Sequence, residues 1–376
     1  MRVGVIGGGQ LARMMIPAAI NLGIDLRVLA ENEGMSAELA AQSIGDYRIA
    51  EEVLQFCSDV DVVTFDHEHV PQAVLLALVG AGITVHPGPE ALACAQDKLL
   101  MRSRLTELRI PVPRWAAVAD SAELASFLDE NNGAAVVKTA RGGYDGKGVR
   151  IVRAANEADD WFAALAEDGN GGSLLAEELV DFRRELAQSV ARRPSGQIAA
   201  WCTVESIQRD GVCAEVIAPA PELDADLARN AGDIATSIAE GLGVTGVLAV
   251  ELFETKDGRI LVNELAMRPH NSGHWSIEGS ATSQFEQHLR AVLDLPLGET
   301  GTLAPWSVMV NILGGPAIGT MADRYQSAFA AFPGVKVHNY GKDPRPGRKI
   351  GHVTARGNDL ATVAHEARAM AALFGD

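Results

Sequence analysis

Two glutamates in apolar stretches are the strongest candidates for a chemical role in this sequence. Glu251 and Glu264 lie on either side of residues 256–259, Lys-Asp-Gly-Arg, and Asp-Gly is a strong hairpin signal. With Asp257 and Gly258 as a two-residue loop, Glu251 stands directly opposite Glu264 on one face of the hairpin. Opposed like charges destabilise a sheet, and Mg²⁺ is typically held by a few carboxylates together with substrate phosphates. The pair therefore predicts a divalent-cation site; an exposed hairpin whose glutamates only add solubility is the alternative.

A loop of cationic and amide side chains follows the second glutamate. It contains Arg268, His270 and Asn271. Beside a metal ion, such groups can hold a small planar anion and stabilise charge on a transferring phosphoryl group. A lone histidine is more often structural, but the position next to a candidate metal ligand favours a catalytic role for this cluster.

A strand that carries a lysine leads into a glycine-rich stretch. Lys138 ends an apolar run, and the stretch that follows contains Gly142, Gly143, Tyr144, Asp145, Gly146, Lys147 and Gly148. Glycine-rich backbone lets N–H groups approach phosphate oxygens, and lysine supplies a positive point charge. The stretch is not a Walker A motif, because no Gly-Lys-Ser/Thr opens a helix after it. An ordinary glycine-rich hairpin remains the alternative for the loop alone.

Two further stretches could contact a nucleotide. In the first, backbone groups at the end of a strand could read an adenine edge and an acidic side chain a ribose hydroxyl; its residues are Glu177, Glu178, Leu179, Val180 and Glu185. The second is a Gly- and Pro-punctuated basic run with the donor types that suit a phosphate monoester: Lys342, Arg345, Arg348 and Lys349. In both cases a solvated surface is the alternative.

The N-terminal part alternates strands and helices, which predicts a parallel, doubly wound sheet. The expected elements are strands Arg2–Ile6, Asp25–Ala30, 61–65 and 84–86 and a helix Gln10–Leu22. Gly7-x-Gly9-x-x-Ala12 follows the first strand, and Glu31 ends the second, as in a dinucleotide fingerprint. By itself this motif favours an NAD-dependent dehydrogenase. More generally, backbone amides at a helix N-terminus form an anion site.

The whole chain is expected to be α/β, with an α+β central part. We predict three domains: an N-terminal α/β domain over residues 1–95, a central domain over 96–300 whose glycine-rich loop lies in a subdomain of about 113–178, and a small β-rich domain over 301–376. Helices are expected from Lys98 to 108, from an N-cap at Ser121, over 223–242 and over 283–293.

Composition narrows the function classes. The 376 residues carry a net charge of −17, which argues against a nucleic-acid surface. Four scattered cysteines without metal-ligand spacing are typical of a reduced protein. The chain contains no signal-peptide pattern and no run of about 18 apolar residues, so no membrane contact and a cytoplasmic location are expected.

Several of these motifs occur in one order over essentially the whole chain. Together they resemble 5-(carboxyamino)imidazole ribonucleotide synthase, a family of ATP-grasp enzymes of purine biosynthesis. The residues that carry the resemblance are Gly7-Gly-Gly-Gln10-Leu11, Gln96-Asp97-Lys98, Val137-Lys138, Gly142–Gly148, Asn263-Glu264, Arg268-Pro-His270-Asn271-Ser-Gly-His274, Thr282-Ser-Gln-Phe-Glu286 and Gly347-Arg-Lys349-Ile-Gly-His352.

The resemblance implies a reaction and a set of residue roles. ATP phosphorylates bicarbonate to carboxyphosphate, and the exocyclic amine of 5-aminoimidazole ribonucleotide takes the carboxyl group. ATP would be held by Lys98, Lys138, Gly142–Gly148, Glu177–Val180, Glu185, Asn263 and Glu264. Two Mg²⁺ ions, replaceable by Mn²⁺, would be bound by Glu251, Glu264 and Asn263. Arg268, His270, Asn271 and Asp145 would be catalytic, and the ribonucleotide would contact Gln10, Leu11, Glu68, Tyr144, Lys342, Arg348 and Lys349.

The sequence departs from the family pattern after the third predicted strand. The family usually shows a Thr-x-Glu-x-Glu-Asn-like run, whereas this chain has Thr64-Phe-Asp66-His-Glu68-His69, and Ala12 stands where glycine is more usual. The family also implies a homodimer. The alternatives are a formate-dependent glycinamide ribonucleotide transformylase, a nucleotide-binding protein without catalysis and the dehydrogenase; the last two leave most of the motifs unexplained.

Overall fold

The N-terminal part of the computed structural model, which describes residues 1–142, 148–167 and 172–375, is a parallel sheet flanked by helices. The strands lie in the order β3-β2-β1-β4. The elements are β1 (Arg2–Ile6), α1 (Gln10–Leu22), β2 (Asp25–Ala30), β3 (Ala41–Ile44), α2 (Ala50–Cys57), β4 (Val62–Phe65), α3 (Gln72–Gly80) and α4 (Pro89–Gln96). The doubly wound parallel sheet is confirmed. β3 was not predicted. The strand expected at 84–86 is reduced to one parallel bridge, between Val85 and Val63 of β4.

A second, small sheet is antiparallel and carries the start of the glycine-rich loop. It is formed by strands in the order β5-β8-β6-β7. The elements are α5 (Lys98–Glu107), β5 (Trp115–Val118), α6 (Ser121–Glu130), β6 (Ala135–Thr139), β7 (Val149–Val152), α7 (Asp159–Glu167) and β8 (Leu174–Glu178). The N-cap of α6 is Asp120 and not Ser121, since the Asp120 carboxylate accepts hydrogen bonds from the amides of Ala122 and Glu123.

A nine-stranded antiparallel sheet runs through the central and C-terminal parts. Its order is β14-β13-β9-β11-β12-β15-β17-β16, with β10 beside β9. The elements are β9 (Phe182–Arg192), β10 (Ile198–Ala200), β11 (Val204–Arg209), β12 (Val212–Ala218), α8 (Ala225–Gly241), β13 (Gly246–Thr255), β14 (Ile260–Ala266), α9 (Ser276–Gly279), α10 (Gln284–Val292), β15 (Trp306–Leu313), α11 (Tyr325–Ala331), β16 (Lys336–Asn339), β17 (Lys349–Gly357) and α12 (Leu360–Ala372). The C-terminal strands thus extend the central sheet through the pairing of β12 with β15.

The hairpin β13–β14 places Glu251 opposite Glu264, as the sequence predicts, but by a different register. The loop has three residues, 256–258, because the Thr255 amide and hydroxyl both bond Arg259. This shifts the pairing by one position, so that Leu252 faces Val262. Asn263 is then an unpaired bulge residue, and the bulge shifts the register back. The predicted two-residue loop is therefore wrong. The extra loop residue and the bulge at Asn263 shift the register in opposite directions, so Glu251 still faces Glu264.

Helix α10 joins the N-terminal sheet to the nine-stranded sheet. Phe285 and Leu289 pack in one apolar cluster with residues of α1. The buried His288 accepts a hydrogen bond from the Val247 amide at Nδ1 (3.1 Å) and contacts Thr64 Oγ1 through Nε2 (2.7 Å). The acceptor role of Nδ1 fixes the neutral tautomer with the proton on Nε2. A neutral imidazole therefore links the two sheets.

Acid should destabilise this junction. Burial lowers the pKa of His288 to about 3, and burial likewise lowers the pKa values of His270 and His67 to about 3 and about 4. A histidine whose pKa is lower in the folded than in the unfolded state binds fewer protons when folded. Its contribution to stability is therefore present above pH ~6.5 and lost as the pH falls, by up to ~1.4 kcal/mol per pH unit and histidine.

We expect His288→Asn to make the pH dependence of the unfolding free energy shallower between pH 6.5 and pH 4, because one titrating group is removed. Urea unfolding at several pH values measures this slope. The matched control is His365→Asn on the exposed face of α12, which should leave the slope unchanged. An unchanged slope in His288→Asn would refute the neutral-junction interpretation.

Candidate active site

A cavity of about 1150 Å³ lies between the three sheets. Its wall includes the loop after β4, residues of β6, β8, β13 and β14, and the loop after β14. Of the residues singled out from the sequence, the cavity is lined by Glu68, Lys98, Lys138, Gly142, Glu177, Glu178, Leu179, Val180, Glu185, Glu251, Asn263, Glu264, Arg268, His270, Asn271 and Lys349. The fold thus brings most of the candidate residues to one concave site.

The opposed carboxylates form one wall of the cavity. Burial, together with the neighbouring carboxylates of Glu264 and Glu185, raises the pKa of Glu251 to about 8. Lys98 Nζ lies 3.6 Å from Glu264 Oε1. A group that supplies positive charge here would lower the cost of ionising Glu251.

The donor set fits a hard divalent cation that also binds phosphate. Two carboxylates face each other across the hairpin, with the Asn263 amide beside them. In the described part of the chain no three His, Cys, Asp or Glu side chains form a cluster that could hold a metal by themselves. Mg²⁺ commonly uses one or two carboxylates and completes its shell with water and phosphate oxygens. The residues therefore fit Mg²⁺ held together with a nucleotide.

A buried charge network supports the lysine of β6. Lys138 Nζ lies 2.9 Å from Glu177 Oε2 and donates to Asn263 Oδ1 at 3.0 Å. The other Glu177 oxygen accepts from Nε of Arg102, and Arg102 Nη2 donates to the Asn263 carbonyl at 2.6 Å. Although burial alone would raise it, the two cations hold the pKa of Glu177 below its usual value. The Glu177 side chain is therefore engaged in holding Lys138.

The other residues at the end of β8 differ in orientation. Glu178 accepts hydrogen bonds from the Arg114 amide (3.0 Å) and from Arg114 Nε (3.1 Å), which fixes its carboxylate. Leu179, Val180 and Glu185 line the cavity, and burial raises the pKa of Glu185. At this edge of the cavity a ligand would therefore meet apolar side chains and backbone groups, because the Glu178 carboxylate is bound to Arg114.

The His270 loop is held by a glutamine from α10. Gln284 Oε1 accepts from the His270 amide (2.9 Å), and Gln284 Nε2 donates to the His270 carbonyl (2.8 Å). His270 Nε2 lies 3.5 Å from Glu251 Oε1. Asn271 exchanges two hydrogen bonds with Asn311 of β15, of 3.1 and 2.6 Å. The sequence alone gave no role to Gln284 or Asn311. Gln284 belongs to the motif Thr282–Glu286, but the motif does not indicate that this side chain bonds the His270 backbone.

Arg268 faces a glutamate from the N-terminal unit. Its Nε lies 3.3 Å from Glu68 Oε2, and Glu68 Oε1 accepts from the Met267 amide at 2.7 Å. Gln96 in turn donates to the Glu68 carbonyl at 2.9 Å. Glu68 therefore connects the loop after β4 to the loop after β14.

Four predicted ribonucleotide contacts are not part of the cavity lining: Gln10, Leu11, Lys342 and Arg348. Lys342 Nζ donates to Gln10 Oε1 at 2.8 Å, and Arg348 Nη1 donates to the Asp343 carbonyl at 3.2 Å. Gln10 and Leu11 begin α1. The basic loop thus contacts the start of α1, whereas Lys349 lies in the cavity wall.

The glycine-rich loop is only partly described. Gly142 and Gly148 both have positive φ, +69° and +72°, a conformation that favours glycine. The predicted residues Gly143, Tyr144, Asp145, Gly146 and Lys147 lie outside the described residues.

The anion site expected at the start of α1 is filled by the chain itself. Asp66, which follows β4, accepts hydrogen bonds from the amides of Gly9 (3.1 Å) and Ala12 (2.8 Å). A Cβ at Gly9 would overlap the Asp66 carboxylate, and a Cβ at Gly7 would lie 2.7 Å from the His67 ring. The glycines therefore serve the packing of residues 66 and 67. A dinucleotide phosphate would have to displace Asp66.

The sequence matches three domain families. Residues 103–285 match the ATP-grasp domain, residues 1–96 the ribonucleotide synthetase preATP-grasp domain, and residues 307–366 the phosphoribosylaminoimidazole carboxylase C-terminal domain. These matches, together with the cavity and the lysines that line it, identify the chain as an ATP-grasp ligase.

Relatives identify the family. The chain is 50% identical over 369 residues to the N5-carboxyaminoimidazole ribonucleotide synthase of Mycobacterium tuberculosis, covering 97% of this chain and 86% of that protein. It resembles the synthetase from Thermus thermophilus (34% identity, TM-score 0.87, 99% and 98% coverage). The enzyme from Aspergillus clavatus in complex with ADP and 5-aminoimidazole ribonucleotide is also similar (30% identity, TM-score 0.87, 99% and 98% coverage). The chain belongs to the N5-carboxyaminoimidazole ribonucleotide synthase family.

Family membership confirms the resemblance, the fold class and the reaction class that the motifs predicted. It favours this reaction over the dehydrogenase and the formate-dependent transformylase. In the described residues no helix is long and apolar enough to cross a membrane.

Because Gly9 packs against Asp66, Gly9→Ala should lower the unfolding free energy by about 1–3 kcal/mol, the usual cost of overpacking. Thermal or urea unfolding measures the change. Gly80→Ala in α3 is the matched control: its added Cβ meets no described atom within 4 Å, so stability should stay the same or rise slightly. Equal stability of the Gly9 variant and wild type would contradict the packing explanation.

Proposed function

We propose that this cavity carries out the ATP-dependent carboxylation of 5-aminoimidazole ribonucleotide with bicarbonate. Bicarbonate oxygen attacks the γ-phosphorus of ATP and ADP leaves, giving carboxyphosphate. The exocyclic amine then takes the carboxyl group, and phosphate and a proton are released. The observation that carries the proposal is the meeting of Glu251 and Glu264, the lysines 98 and 138 and the Arg268–Asn271 loop in one cavity.

Phosphates and adenosine contact different residues of the cavity in this proposal. Lys98 and Lys138, with Gly142–Gly148, bind the phosphates, since lysine charges and glycine-rich backbone suit phosphate oxygens. Leu179, Val180 and Glu185 face the adenosine. Glu177 acts through Lys138, and Glu178 contributes backbone groups because its carboxylate is engaged by Arg114.

The metal ligands are Glu251 and Glu264, with Asn263 beside them. Mg²⁺, two ions by the family resemblance and replaceable by Mn²⁺, would neutralise charge on the phosphates. Asn263 Oδ1 already accepts from Lys138, so a metal contact would use its second lone pair.

The loop after β14 is placed to hold the small anion. Arg268 supplies a guanidinium, and Lys349 from β17 faces the same space. With a pKa of about 3, caused first by burial, His270 is a poor general base near neutral pH and serves by hydrogen bonding. Asn271 keeps the loop in place through Asn311. Asp145, predicted as catalytic, lies outside the described residues.

The acceptor ribonucleotide is assigned to the side of the cavity toward the N-terminal unit. Glu68 and Lys349 line the cavity, Gln10 and Leu11 begin α1, and Lys342, which lies in the same basic loop as Arg348, contacts Gln10. Tyr144 completes the predicted set. A homodimer, a cytoplasmic location and the domain boundaries at 95 and 300 remain part of the proposal.

The substrate dependence of ADP release tests the function. ADP should form rapidly with ATP, Mg²⁺, bicarbonate and 5-aminoimidazole ribonucleotide, and drop to background when either of the last two is left out. A mixture of formate and glycinamide ribonucleotide is the control and should give no ADP above background. ADP release with that control mixture alone would overturn the acceptor assignment.

A further inference from the structure

Arg102 lies behind the cavity wall and contacts both Glu177 and Asn263, the two residues that hold Lys138. Its side chain on α5 is fully buried, and it does not line the cavity. Nε donates to Glu177, Nη2 donates to the Asn263 carbonyl at 2.6 Å, and Nη1 has no hydrogen-bond partner among the described residues. A buried arginine in this position needs a reason, because burying a charge is costly unless it is paired.

The charges of the network give one reason. Arg102, Lys138 and Glu177 together carry a net charge of +1 in a buried setting. Without Arg102, Lys138 and Glu177 would form a neutral pair, and the lysine would attract phosphate less strongly. Among the residues that the structure describes, two contacts of the Lys138 ammonium use two of its three N–H donors, so the third can serve a ligand. Arg102 therefore offsets the charge of the Glu177 carboxylate, so that Lys138 still attracts phosphate although it contacts Glu177.

The hairpin bulge gives the second reason. Asn263 is the unpaired residue that brings Glu264 opposite Glu251. Its carbonyl is held by Arg102 and its side chain by Lys138. One guanidinium thus contacts both the anchor of the lysine and the bulge that sets the register of the glutamates, as its rigid fork of donors allows.

We propose that Arg102 is a positioning residue for the phosphate site: it leaves the Lys138 charge available to ATP and fixes the Asn263 bulge. The inference rests on the proposed function only in that the cavity binds ATP phosphates. It goes beyond that function by assigning two separable tasks, charge and geometry, to a residue that touches no substrate.

Binding of ADP and adenosine to the purified full chain separates the charge task from a general defect. Arg102→Met should raise the Kd of ADP at least tenfold and leave the Kd of adenosine, measured by competition, within about threefold, since only ADP carries phosphates. Arg102→Met/Glu177→Gln restores a net charge of +1 and should bind ADP at least fivefold more tightly than Arg102→Met. The matched control is Arg104→Met on the same helix, where Arg104 is exposed and pairs with Glu107; its ADP affinity should equal wild type.

Arg102→Lys tests the geometry task and guards against a methionine variant that does not fold. It keeps the charge but cannot bridge Glu177 and the Asn263 carbonyl with one fork. We expect ADP affinity within about threefold of wild type and a kcat at least tenfold lower. Wild-type kcat in Arg102→Lys, equal losses for ADP and adenosine in Arg102→Met, or no recovery in the double variant would each overturn the proposal. A wild-type enzyme that binds ADP but does not turn over the ribonucleotide would instead refute the proposed function.

Discussion

The repulsion between the carboxylates of Glu251 and Glu264 is the constraint on which the site depends. Two acidic side chains face each other across a hairpin whose other residues are mostly buried and apolar. Burial and the second carboxylate raise the pKa of Glu251 to about 8. Such an arrangement is unfavourable until cationic partners arrive. The surrounding lysines supply part of that charge, and in the proposed function the metal ions supply the rest and also bind the ATP phosphates.

Positive charge around this pair is graded by depth. Arg102 is fully buried, Lys138 lies in the wall, and Lys98 reaches toward Glu264. Two elements carry these three cations: Arg102 and Lys98 are on α5, and Lys138 is on β6. The helix α5 and the hairpin β13–β14 must therefore keep their relative positions for the site to form. Their connection through Arg102 is a direct side-chain contact and does not depend on a ligand.

The sequence revealed the parts of this site that depend on local pattern. Apolar runs and glycine-rich stretches predicted the fold class and the lysine-bearing strand. The Asp-Gly turn predicted the hairpin, but the glutamates face each other through a three-residue loop and a bulge that the turn did not predict. The bulge at Asn263 could not be predicted, because the arginine that holds it is 161 positions away in the sequence. The contact between Asp66 and the start of α1 also joins residues far apart in the sequence, so local pattern could not predict it. The glycines at the start of α1 therefore predict an anion site that Asp66 in fact fills. Long-range side-chain contacts decided each of these cases.

Binding of Mn²⁺, followed by electron paramagnetic resonance with and without ADP, tests the central claim that the opposed glutamates form a cation site completed by phosphate. The expected result is Mn²⁺ binding to wild type that becomes much tighter when ADP is present, and an affinity at least about tenfold weaker in Glu264→Gln. Glu240→Gln, on the exposed side of α8, is the control and should behave as wild type. ADP-dependent Mn²⁺ binding of unchanged strength in Glu264→Gln would contradict the claim.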